Sequence, residues 1–223
     1  MITVYYAKVF PSLEEDTFLH HLGNIEEERR KKLQQMKDQK SINRSLAAGC
    51  LLHDVLCERL GVSLRDGQPF ELGYGEDGKP YLKGEPDIYF NLSHSGEYVS
   101  CAVADVPVGV DIQKKIKARS GIAKRFFTDA DNQKLSACGE AEREDLFFRM
   151  WSIKESFVKL TGKGMRQGID SFEIDWRHGR ILEEGKSDPS AYFKEQTCLP
   201  EYSFCVCSKI PEPYVAWKES VLT

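Results

Sequence analysis

The chain has 223 residues, enough for one large domain or two small ones. Hydrophobic residues make up 41% and charged residues 30%, well mixed in sign, which suits a packed protein and excludes gross disorder. A formal net charge of −4 argues against a general nucleic-acid binder.

In chain order, residues 2–9 are rich in β-formers and read as a strand. Residues 26–60 carry a helical pattern whose apolar face is Leu46, Leu51, Leu52, Val55, Leu56 and Leu60, with Gly61 as its stop. Glycine and proline punctuation over residues 67–86 marks loops and short strands. Strands are expected at 88–92 and 98–104, on either side of a turn at Ser95 and Gly96, and again at 108–112. Residues 122–160 read as mostly helix, followed by strands near 172–176, 191–194 and 203–207. Strand, helix and strands therefore occur twice. The order predicts two α+β halves, residues 1–106 and 107–223.

The seven cysteines include no CxxC pair, which argues against a zinc site and against a disulfide framework, so reduced thiols in a cytoplasmic protein are expected. The opening MITVYYAKVFPSLEED lacks a basic segment followed by an apolar one, and no apolar run approaches the roughly 18 residues of a membrane span. Neither a signal peptide nor a membrane segment is expected.

Three segments carry candidate chemistry. In WSIKESFVKLTGKG, residues 151–164, helical spacing puts Trp151, Glu155 and Lys159 on one side and Met150, Ile153, Phe157 and Leu160 toward a core. In GVDIQ, residues 109–113, strand geometry points Asp111 and Gln113 to the same face. In FNLSHSG, residues 90–96, hydroxyls, a histidine and a glycine at a strand end suit an anion-binding turn. Each alone has an ordinary explanation: a surface Glu–Lys pair, a capping aspartate, a plain turn.

Together and in this order, the three segments resemble the surfactin-type 4′-phosphopantetheinyl transferases. Arg44, Gly78-Lys79-Pro80 and Arg125-Phe126-Phe127 extend the resemblance over the whole chain. It implies the fold of that family, two similar α+β halves related by a pseudo-two-fold axis, in a monomer with its site between them. It also implies transfer of the phosphopantetheine arm of coenzyme A to a serine of an apo acyl, peptidyl or polyketide carrier protein, with release of 3′,5′-ADP. The N-terminal half would supply coenzyme A contacts: Ser93 and His94 to phosphates, Arg44 with Arg29 and Lys32 to the phosphate end of the nucleotide, and Lys79 and Pro80 to the adenine. The C-terminal half would supply Asp111, Gln113 and Glu155 for Mg2+, with Lys159 on the leaving group. The general base is open between Glu155, directly or through water, and Asp131. Lys114, Lys115, Lys117 and Lys124 are candidates for docking an acidic carrier, and Phe126 and Phe127 for an apolar contact with it or for core packing.

One departure stands out: the family pattern ends GVDI with glutamate, and this chain has Gln113. An amide oxygen can ligate magnesium but brings no charge. That substitution supports an alternative of a different class, a non-catalytic module binding coenzyme A or carrier proteins. Intact Asp111, Glu155, Lys159 and His94 oppose it. A P-loop nucleotide hydrolase is excluded, because GKG at 162–164 is too short for that loop.

Overall fold

Residues Ile2–Lys8 form the first strand, β1, buried along nearly all its length. Three helices follow: α1 (Glu15–Asn24), α2 (Glu27–Gln35) and α3 (Gln39–Leu60). Next come a small hairpin, β2 (Leu72–Tyr74) and β3 (Pro80–Leu82), and the strands β4 (Tyr89–Ser95), β5 (Tyr98–Ala104) and β6 (Val108–Lys114). The second half has helices α4 (Ile122–Phe126), α5 (Asp129–Ala137) and α6 (Glu140–Thr161), then β7 (Phe172–Asp175), β8 (Arg180–Glu183), β9 (Ala191–Gln196), β10 (Tyr202–Ser208) and β11 (Val215–Ser220). The computed structural model describes residues 1–63, 69–117, 121–184 and 186–222, so positions 67 and 68 of the expected loop lie outside the described residues.

The fold is α+β. The first sheet has the order β11-β1-β5-β4 and the second β6-β10-β9-β8-β7. Within each, the opening strand of a half pairs antiparallel with its last long strand, which pairs antiparallel with the one before it: β1-β5-β4 and β6-β10-β9. Each half also packs one 22-residue helix, α3 or α6, on those strands. The chain's last strand, β11, returns to the first sheet and pairs parallel with β1.

The two predicted long helices are subdivided. Residues 26–60 break after Gln35 because Asp38 caps a new helix, its carboxylate accepting from Ser41 N–H at 2.8 Å. Residues 122–160 break at Thr128, which forms a capping box with Asp131, and again ahead of Glu140. Gly61 ends α3 in the left-handed conformation, φ 68°, as expected of a terminal glycine.

Three apolar clusters hold the molecule together. One lies under α3, another under α6, and a third joins the sheets through Ile2, Val4 and Tyr6 against Val110, Ile112 and Phe204. Tyr6 meets Phe204 edge-on at 5.9 Å. α6 approaches β6 closely at Gly109. A Cβ there would lie 2.1 Å from the Ser156 carbonyl oxygen and 2.3 Å from the Leu160 nitrogen.

The cysteines carry no disulfide; five are buried, Cys138 is half-buried and Cys198 exposed. Among the described residues, no helix is long and apolar enough to cross a membrane.

Candidate active site

The edge strands β4 and β6 face each other, each paired through its backbone on one side only. Asp111 points from β6 into this junction and is buried. Its Oδ1 accepts from Lys159 Nζ at 2.6 Å and from Ser93 Oγ at 2.8 Å. Its Oδ2 is buried with no hydrogen-bond partner. A buried carboxylate oxygen without a donor is costly, and a hard cation bound there would remove that cost.

Glu155 enters from α6, one turn before Lys159. Burial is the first cause that raises its carboxyl above the ordinary range; the charge of Asp111 adds to it and Lys159 opposes it. Among the described residues no side chain hydrogen-bonds Glu155, nor does any group of three His, Cys, Asp or Glu side chains converge as a metal cage. A pair of carboxylates with open valences remains, the donor set that magnesium shares with substrate phosphates and water.

Ser93 has one hydroxyl proton, donated to Asp111, while its oxygen accepts from Ile112 N–H at 3.2 Å and Lys159 Nζ at 2.9 Å. Its donor is thus committed to the carboxylate, and the expected phosphate contact has no free proton here.

A cleft of about 280 Å³ opens beside this cluster, lined by Asp77, Gly78, Lys79, Pro80, Asn91, Glu155, Val158, Lys159, Gly162, Gly164 and Ile169. Lys79 contributes its stem, because its ammonium donates to the carbonyls of Val108 and Leu160 at 3.0 and 3.1 Å. Burial pulls that ammonium down to about 8, against two acceptors that favour its charged form. Lys79 thereby ties the β2–β3 hairpin to both β6 and α6.

His94 is exposed. Partial desolvation, then the charges of Lys159, Arg44 and Arg29, lower its imidazole below the usual range. Lys159, Arg44 and Arg29 thus place positive charge around the His94 ring, at the rim of the site. Within it Arg29 is braced on Glu26 at 2.7 Å, while Arg44 donates to Ser41 Oγ at 3.0 Å. Lys32 is paired with Glu28 at 3.0 Å and lies over the Tyr74 ring, outside this cluster.

Asp131 is held elsewhere. It completes the capping box of α5 and pairs at 2.8 Å with Lys154, which is fully buried and also donates to the carbonyls of Ile169 and Phe172. With all three ammonium donors used, Lys154 and Asp131 make an internal strut. Burial lowers the Lys154 ammonium and Asp131 partly restores it. Four residues after Met150 and three before Phe157, Lys154 falls on the buried face of α6, where its charge is held by these three acceptors.

Gln113 lies in a second groove of about 300 Å³ with Ile116, Lys117, Ile122, Phe147, Phe148 and Trp151. Phe126 stacks edge-on against Trp151 at 5.9 Å and is partly exposed, whereas Phe127 is buried in the core under α6. Phe127 is therefore a core residue, and Phe126 stays at the surface. Lys115 is paired with Asp145 at 2.6 Å, and Lys114 lies over the Tyr202 ring.

The fold and the site define an α+β protein that holds a carboxylate pair and a lysine at the junction of its two larger sheets. Residues 107–207 match the 4′-phosphopantetheinyl transferase superfamily, and residues 11–105 match the N-terminal region described for 4′-phosphopantetheinyl transferases. A 4′-phosphopantetheinyl transferase of Bacillus subtilis is 32% identical over 212 residues, covering 94% of this chain and 92% of the relative. The 4′-phosphopantetheinyl transferase gsp of Aneurinibacillus migulanus is 30% identical over 93% of this chain and 86% of its own. The L-aminoadipate-semialdehyde dehydrogenase-phosphopantetheinyl transferase of Rattus norvegicus is 24% identical over 85% of this chain and 68% of its own. The chain belongs to the 4′-phosphopantetheinyl transferase superfamily and is a transferase of this type.

Proposed function

We propose that the protein moves the 4′-phosphopantetheine moiety of coenzyme A onto a serine of an apo acyl, peptidyl or polyketide carrier protein, as a magnesium-dependent monomer. The observation that carries this reading is Asp111, with one oxygen held by Lys159 and Ser93 and the other buried without a partner beside Glu155. In this reading residues 1–106 bring the coenzyme A contacts and residues 107–223 the metal and catalytic groups.

Magnesium held by Asp111 and Glu155, with pyrophosphate oxygens and water completing its shell, would neutralise charge on the pyrophosphate. Gln113 adds at most an amide oxygen. The serine oxygen bonds to the phosphorus that carries the pantetheine arm, and the bond from that phosphorus to the bridging oxygen breaks. Its electron pair leaves with 3′,5′-ADP, and the serine proton passes to Glu155, directly or through a water. Lys159 turns from Asp111 to the leaving phosphate as charge develops there. Arg44 and His94 hold the remaining phosphates, and the stem of Lys79 with Pro80 flanks the adenine.

The groove of Ile116, Ile122, Phe147 and Trp151, edged by Phe126, gives the carrier an apolar seat near the site. Lys117, at that groove, and Lys124 add attraction for an acidic partner.

The test is a mass measurement on a panel of fatty-acid, polyketide and nonribosomal-peptide apo carriers incubated with coenzyme A and magnesium. One phosphopantetheine should be added per carrier, with stoichiometric 3′,5′-ADP. Tight coenzyme A binding with no mass gain on any carrier would overturn catalysis and leave the binding module.

A further inference from the structure

The junction between the two sheets is not made by backbone pairing. On the free edge of β6 the amides of Val110, Ile112 and Lys114 point toward β4 and find side chains there. Asn91 Oδ1 accepts from Val110 N–H at 2.9 Å, Ser93 Oγ from Ile112 N–H at 3.2 Å and Ser95 Oγ from Lys114 N–H at 3.0 Å. Acceptors and donors both recur every second residue, the period of a strand. An unpaired edge amide in a buried junction would be costly, so each rung matters.

We propose that Asn91, Ser93 and Ser95 form a side-chain ladder that fixes the register of β4 against β6, with Asn91 and Ser95 as positioning residues for the transfer reaction. The middle rung, Ser93, is also the partner of Asp111 and Lys159. A shift of this junction therefore moves the acidic floor relative to the rim that His94 carries, on the same strand. Side chains suit this task because their reach sets the sheets apart by a distance that direct backbone pairing would not allow. The alternating polar residues of β4 thus have a use besides binding phosphate.

The proposal rests on the functional reading above for its kinetic arm only. Its structural arm is hydrogen exchange of the whole wild-type protein, resolved by amide. Val110, Ile112 and Lys114 amides should be protected, and Ser95→Val should release Lys114 while Ser95→Thr keeps it protected. In the kinetic arm Ser95→Val should lower kcat roughly tenfold or more, since misplacement of the order of 1 Å costs about that or worse. The KM for coenzyme A should change less than about twofold, because the rim residues themselves are untouched. Ser95→Thr, which keeps the acceptor, should restore kcat, as a purely volumetric role would not require. Should Ser95→Val fail to fold, Asn91→Leu against Asn91→Asp makes the exchange comparison at the Val110 amide, since aspartate keeps an oxygen for it. Fast exchange of the three amides in the wild type would overturn the ladder. Released amides with unchanged kcat would overturn its positioning role. A wild type with protected amides but no transferase activity would instead sink the functional reading.

Discussion

Gly109→Ala is the sharpest test of how the site is assembled. The added Cβ would lie 2.1 Å from the Ser156 oxygen, 2.3 Å from the Leu160 nitrogen and 2.9 Å from the Leu160 Cα, all backbone atoms of α6. No rotamer can relieve contacts with backbone, and carbon contacts become comfortable only near 3.5 Å, so α6 must retreat by about 1 Å or more. Such overpacking costs about 2 kcal/mol, which for a chain of this size lowers Tm by roughly 4–8 °C. The retreat falls on the turn that carries Glu155 and Lys159, and it stretches the 2.6 Å contact between Lys159 and Asp111. A shift of that size in reacting groups costs about 100-fold in rate. Thermal unfolding followed by transfer kinetics at a temperature where the variant is folded separates the two effects. A variant with wild-type Tm would refute the close approach of helix and strand. A lowered Tm with undiminished kcat would refute the claim that this turn sets the geometry of the site.

Asp131→Asn breaks the buried pair with Lys154 and should cost about 3–5 kcal/mol of stability, with kcat per folded molecule nearly unchanged; a collapse of kcat at wild-type stability would make Asp131 the base after all. Lys159→Gln removes the cation seated on Asp111, so Mn2+ should bind roughly tenfold more tightly without coenzyme A even as transfer slows, measured by paramagnetic resonance; unchanged affinity would mean Lys159 does not guard that carboxylate. Gln113→Glu should lower the magnesium concentration for half-maximal rate, and no change would place residue 113 outside the metal's reach. His94 has a depressed pKa in the free protein, and phosphate beside it favours the charged imidazolium. Binding should therefore take up a proton, and coenzyme A affinity should rise as pH falls from the bound-state pKa toward the free one. Calorimetry in buffers of different ionisation enthalpy reads this uptake; a slope unaltered in His94→Ala would assign it to another group.

Much of the architecture was legible because period and burial agree. The face of Met150, Ile153, Phe157 and Leu160 is buried, and Glu155 and Lys159 lie together on the other side, as their spacing requires. Asp111 sits where strand alternation puts it. What stayed hidden depends on partners distant in sequence. Lys154 is interior because two carbonyls from residues 169 and 172 and the carboxylate of Asp131 surround its ammonium. The breaks in the two long helical patterns come from caps at Asp38 and Thr128, and the second was signalled by Thr128-Asp-Ala-Asp131, a spacing close to that of a capping box. The strand β11 was not among the expected strands; it follows Pro211 and Pro213, and its reason to pair is β1, more than 200 residues away. Asn91, Ser93 and Ser95 in alternation look like the solvent face of a strand, and only the opposing edge of β6 gives them another meaning.

The burial of Asp111 without a donor on Oδ2 also bears on how the site is charged before substrate arrives. Asp111 and Glu155 repel each other, which is part of why the Glu155 carboxyl is raised, and Lys159 offsets only part of that repulsion. Lys159 is a quarter exposed, 27%, so its ammonium can turn to another anion without entering the interior, while Asp111 is buried and needs a replacement cation. A fully buried ammonium such as Lys154 would be fixed; a partly exposed one is able to exchange partners. An incoming pyrophosphate offers Lys159 a second anion, while a divalent cation offers Asp111 and Glu155 more charge than one lysine supplies. Each exchange favours the other, because the lysine released from Asp111 gains a phosphate and the phosphate gains a metal. Cation and coenzyme A should therefore bind with positive coupling, through the single contact between Lys159 and Asp111.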